Sequence, residues 1–75
     1  MFDYSKLRGK IREVFGTQEE FAKAMNISGA TVSDKLNNKS DWTQKEIDTI
    51  VNLLNIPKDR IPIYFFTEKV QLLEQ

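Results

Sequence analysis

The chain has 75 residues, of which 40% are hydrophobic and 29% charged, enough for one small domain with a single core and too few for a deep catalytic cleft. Histidine and cysteine are both absent, which excludes Cys/His zinc sites, disulfides, thiolate nucleophiles and the usual general base. Eleven basic residues balance eleven acidic ones, so the chain is no uniformly basic polyanion binder.

Phe2 and Asp3 open the first predicted helix, Asp3 as its cap and Phe2 spaced to pack on Leu7. Leu7, Ile11 and Val14 or Phe15 recur on one helical face, and Gly16 supplies the left-handed stop. Thr17-Gln18-Glu19-Glu20 reads as a capping box, the hydroxyl taking the amide of Glu20 and the Glu20 carboxylate returning to Thr17. The second helix places Phe21, Ala22, Ala24 and Met25 inward and stops at Asn26, a residue that tolerates positive φ. Ser28 caps a third helix that runs to about Leu36, with Val32 and Leu36 inside and Gly29, Ala30, Ser33, Asp34 and Asn37 outside.

Residues 37–41 form a turn cluster, and Trp42-Thr43-Gln44-Lys45-Glu46-Ile47 repeats the capping box with Trp42 stapled on Ile47. The fourth helix carries Ile47, Ile50, Val51 and Leu54 and ends near Asn55. Pro57 and Pro62 leave room for one short irregular helix over 58–66, with Ile61 to Phe66 closing the core or offering an interface. The domain is therefore expected over 1–66, with 67–75 as a helical or frayed tail. No apolar run approaches the roughly 20 residues of a membrane span or the roughly 7 to 15 of a signal peptide. The expectation is a reduced, cytoplasmic protein with no membrane contact, metal or cofactor.

Residues 18–37 carry the functional signal. A steep crossing of two helices on a short turn requires a small residue at the crossing, a residue at positive φ in the turn and apolar plugs beneath it. Ala22, Asn26, Met25 with Ile27, and the anchor Val32 meet those requirements in register. This is the helix-turn-helix pattern. Thr17-Gln18-Glu19-Glu20-Phe21-Ala22 through Ser28-Gly29-Ala30-Thr31-Val32-Ser33 resembles the Cro and phage-repressor-like (XRE-type) DNA-binding regulators. Lys35-Leu36-Asn37-Asn38-Lys39, followed by Trp42-Thr43 and Glu46-Ile47, extends the resemblance to the small phage-type members over about residues 4–56. Asn26 and Asn38 stand where that family has glycines, and Lys35 where many relatives have an aliphatic residue.

The resemblance implies an all-α, five-helix, lambda-repressor-like domain whose third helix enters the major groove. The matching base-facing positions are Ser28, Gly29, Ala30, Thr31, Ser33, Asp34 and Asn37, and the phosphate contacts are Thr17, Gln18, Lys35 and Lys39. The implied function is a Cro-like transcriptional regulator, a repressor binding double-stranded operator DNA as a homodimer so that two half-sites add. Base reading is thin, because the matching positions hold no Arg or Gln for a bidentate bond and Asp34 repels phosphate. A rival reading keeps the fold and changes the partner: a protein-binding modulator, or anti-repressor, acting on a second phage regulator. Zero net charge, Asp34, the small Gly29-Ala30 tip and the apolar 61–66 segment motivate it. An enzyme is not expected, since no His, Cys or glycine-rich phosphate loop is present.

Overall fold

The computed structural model describes residues 1–70. Helices α1 (Ser5–Phe15), α2 (Gln18–Met25), α3 (Gly29–Leu36) and α4 (Gln44–Leu54) precede a 3-10 turn at Lys58–Arg60 and a short α5 (Ile61–Phe65). Among the described residues the architecture is all-α with five helices, as expected. No helix among the described residues is long and apolar enough to cross a membrane. Leu7, Ile11, Phe21, Val32, Ile50, Leu54 and Phe65 are fully buried and form the centre of one core. Phe21 lies between Phe15 and Trp42, with ring centroids 5.6 and 6.5 Å away, in the tilted and edge-on geometries that aromatic quadrupoles favour.

Chain reversals follow a common rule. Gly16 (φ 84°), Asn26 (φ 61°), Asn38 (φ 64°) and Asn55 (φ 54°) hold the left-handed positions after α1, α2, α3 and α4. After each asparagine the next amide reaches back five residues: Ile27 to Ala22, Lys39 to Asp34, and Ile56 to Val51, at 2.8 to 3.0 Å. That pattern satisfies helix carbonyls that would otherwise face the turn unpaired. Ile27 and Ile56 are thereby turned toward the core, Ile56 with 5% exposure. Thr17, Ser28 and Thr43 cap α2, α3 and α4 by accepting from the third residue of each helix. Among the described residues only Thr43 with Glu46 closes a reciprocal box; Glu20 pairs with Lys23 at 3.3 Å instead of returning to Thr17.

Three expectations are corrected. Asp3 accepts from the amide and hydroxyl of Ser5 and so caps α1 from one residue further out, which holds its carboxyl below the usual range. Phe2, packed against the core cluster that includes Leu7 as expected, also lies against Tyr4 and Phe66, at 6.2 and 5.7 Å. Ala24 is exposed, because the inward stripe of α2 is set by Phe21, Ala22 and Met25 alone. Residues 67–69 form no helix. They pair antiparallel with 1–3, Asp3 N–H donating to Thr67 O (2.7 Å) and Lys69 N–H to Met1 O (2.9 Å). Residues 71–75 of the expected tail lie outside the described residues.

On its other edge this N-terminal segment is held by one side chain. The Asn38 amide accepts from Phe2 N–H at 2.9 Å and donates to Phe2 O at 2.8 Å, standing in for a neighbouring strand. A glycine there would keep the turn and lose the clamp. Asn38→Ala should cost about 3 kcal/mol, from two hydrogen bonds at roughly 1 kcal/mol each and a left-handed penalty of roughly 1 kcal/mol. Asn38→Gly should recover the last of these; urea unfolding checks both, and a glycine variant as stable as the natural chain would remove the clamp from the account.

Candidate recognition surface

The bent pair α2–α3 sits as the sequence predicts. Ala22 and Val32 are buried at 2% and 0% exposure. Asn26 makes the turn. Gly29 opens α3 against α2, where a Cβ would meet Glu19 Cγ at 3.8 Å. One side of α3 therefore faces away from the core, with Ser28, Ala30, Asp34 and Asn37 exposed and Gly29, Thr31 and Ser33 half-buried.

This outer side is polar and largely self-satisfied. The Ser28 and Thr31 hydroxyls are 2.8 Å apart, and Ser28 also caps the Thr31 amide. The Asn37 amide donates toward Ser33 Oγ at 3.4 Å. Its oxygen accepts from Arg8 at 2.8 Å, and the same guanidinium nitrogen donates to Leu36 O at 3.1 Å. Arg8 thus places a cation at the C-terminus of α3, where the helix dipole favours one. Sequence reasoning missed this residue: on α1 it reads as solvated charge, and nothing local in 28 residues of separation signals its target.

The four predicted phosphate contacts part company. Thr17 is exposed and Gln18 half-buried at the start of α2, both on the rim of a cleft of about 670 Å³ shared with Arg8 and Arg12. Lys39 is exposed just beyond α3. Lys35 is not on this surface. Its side chain is turned inward, where the ammonium donates to Asp41 O at 2.8 Å, pairs with Glu46 Oε1 at 3.1 Å and lies 5.8 Å from the centre of the Trp42 ring. So placed, Lys35 is not available to contact phosphate, contrary to the sequence-based expectation. The long aliphatic stem lets lysine fill a core-edge position while its head finds oxygens, so Lys35 works as an internal tie. With Lys35 turned inward, the charges at α3 are Asp34 on its exposed side, Glu19 beside its first residue Gly29, and Arg8 and Lys39 at its C-terminal end.

Glu46 joins that tie to the cap of α4, since the oxygen that meets Lys35 also accepts from Thr43 N–H at 2.9 Å. Burial pushes its carboxyl up, but the Thr43 amide and the Lys35 ammonium together outweigh it and hold the group below its ordinary value.

Two comparisons bear on the whole chain. A family model described as "Protein of unknown function (DUF739)" matches residues 1–68. The solution structure of the modulator of repression (MOR) of the temperate bacteriophage TP901-1 from Lactococcus lactis is 50% identical, covers 93% of this chain and 95% of its own, and superposes with a TM-score of 0.78. No curated protein matches. These findings overturn the assignment to Cro and phage-repressor-like regulators. The residues that suggested it, Ala22, Asn26, Ile27 and Val32, secure a helix crossing and carry no information about what the outward side chains meet.

A carboxylate favoured by the fold adds stability above its unfolded value near pH 4.3 and loses it as pH falls below that. Glu46→Gln should therefore cost about 2 kcal/mol at neutral pH, between the values for exposed and buried pairs, and should flatten the loss of stability between about pH 5 and 3. An acid limb unchanged in denaturant titrations of the variant would contradict the tie.

Proposed function

The chain belongs to the DUF739 family, and from that membership and its solved relative we propose that it is a modulator of repression, a small phage protein that acts by binding a repressor. The observation that carries this reading is 50% identity over 93% of the chain to a protein of that description, with a TM-score of 0.78. The α3 surface supports it. Its outward positions offer no Arg, Gln or Lys for base edges, Lys35 is occupied internally, and Asp34 and Glu19 oppose phosphate. Ser28, Ala30, Thr31, Ser33, Asp34 and Asn37 are then the contact set for a protein, with Gly29 and Ala30 allowing close approach. Operator DNA and a homodimer were consequences of the repressor-like assignment, and neither is needed by a protein that acts through its partner.

The proposed action is by binding, wherever the repressor meets its operator in the host cytoplasm.

Co-expression with the phage repressor and affinity capture tests the reading. The two proteins should co-purify, and Ala30→Glu on exposed α3 should weaken capture at least tenfold, about 1.4 kcal/mol, with an unchanged helical melting curve. Alone, the chain should leave operator duplexes unshifted in gels. A shift by the isolated chain at micromolar concentration, or no co-purification, would refute the proposal.

A further inference from the structure

Away from the outer side of α3, the N-terminal segment, the loop before α4 and the end of α5 enclose a slot of about 260 Å³. Phe2, Tyr4, Trp42, Ile47 and Phe66 wall it, with Asp41 at its margin. Its volume is below the roughly 300–1,000 Å³ of sites that enclose whole small ligands, and suits one or two inserted side chains. Phe66 is 49% exposed beside it, and Ile63 on the same short helix 36%.

Polar groups at this slot are left without partners. Trp42 is 7% exposed, yet its indole N–H has no acceptor among the described residues, although buried donors are nearly always paired. Asp41 is exposed, and no ion pair or side-chain hydrogen bond engages its carboxylate among the described residues. Lys35 gives its ammonium to the Asp41 backbone oxygen and to Glu46, and Lys39, exposed two residues away along the loop, makes no ion pair with Asp41 among the described residues. The Tyr4 hydroxyl is pushed up by burial and then by the Asp41 charge, which places that carboxylate within electrostatic reach of the slot wall. An apolar slot with one uncompensated negative charge at its mouth fits a cation next to an apolar group and repels an anion there.

We infer that this slot docks a segment of the partner regulator that inserts an apolar side chain among Phe2, Trp42 and Phe66 and sets a neighbouring lysine or arginine on Asp41. The inference rests on the modulator reading for the identity of the partner, while the chemistry of the slot stands on its own residues. It adds a second point of attachment, on α5 and the N-terminal segment, to the α3 contact set.

The isolated chain can be titrated with three synthetic peptides, acetyl-Lys-Phe-Lys-amide, its serine counterpart and its glutamate counterpart, with amide and indole NMR shifts as readout. Trp42 is the only tryptophan, so its indole resonance reports the slot directly. The lysine peptide should bind at millimolar concentration with shifts confined to residues around Trp42 and Asp41. The glutamate peptide should bind at least fivefold more weakly, and Asp41→Asn should bring the lysine peptide to the level of the serine one. Phe66→Ser, on a side chain that is half exposed, should abolish the shifts while lowering the melting temperature only slightly, through loss of the edge-on contact with Phe2. Equal binding of all three peptides, or shifts centred elsewhere, would overturn the slot. Repressor capture separates the two claims: capture that survives Asp41→Asn and Phe66→Ser overturns docking at the slot and leaves the modulator reading intact. Peptide binding as described, with no repressor captured by the natural chain, upholds the slot chemistry and removes the repressor as its partner.

Discussion

The ammonium of Lys35 is the point at which the third and fourth helices are joined. It meets a backbone oxygen of the connecting loop, a carboxylate that is itself half of the α4 capping box, and the face of Trp42. A cation at 9% exposure is tolerable only with such a set of partners, because desolvation of an unpaired charge costs several kcal/mol. The arrangement has two consequences of different kinds. It sets the rotation of α3, so that Val32 and Leu36 point inward and Asp34 outward, and it removes one positive charge from the surface that a nucleic acid would have to meet.

Much of the scaffold was legible in the sequence because its signals are local. A hydroxyl three residues before a helix amide, an asparagine at a left-handed position, and apolar residues spaced by turns of a helix each follow from a few neighbouring residues. Thr43 with Glu46, Asn26 under α2, and the inward stripe of Ile50 and Leu54 are of this kind. What was not legible is nonlocal. Arg8 bracing the end of α3, Asn38 clamping Phe2, Lys35 meeting Glu46, and the pairing of 1–3 with 67–69 each depend on a separation that periodicity does not encode. Asn38 shows the difference within one residue: its backbone role was readable, and its side chain's partner 36 residues away was not.

The candidate surface divides in the same way. Which residues of α3 face outward follows from the helical period, and Ser28, Ala30, Asp34 and Asn37 lie where that period puts them. Which partner they face does not follow, since a helix-turn-helix is a way of packing two short helices and sites are grafted upon it. Of the motif residues, Ala22 and Val32 are buried and Met25 and Ile27 pack half-buried against the core, so they answer to each other. The decision between a nucleic acid and a protein falls to exposed residues, and here a charge balance near neutrality, an outward aspartate and an inward lysine all weigh toward the protein.

A chain of 75 residues has little interior to spare, so its surfaces are mechanically close to one another. The end of α3 is bound through Asn37 to Arg8 on α1, and the next residue, Asn38, holds Phe2, which forms one wall of the aromatic slot and stacks edge-on against Phe66. The outer side of α3 and the slot are therefore linked by two consecutive asparagines whose side chains point in different directions. A partner that engages both would bind a nearly preformed surface, with capped helix ends and satisfied turns, and would lose little ordering entropy in doing so. That rigidity is what allows so small a domain to present a specific face.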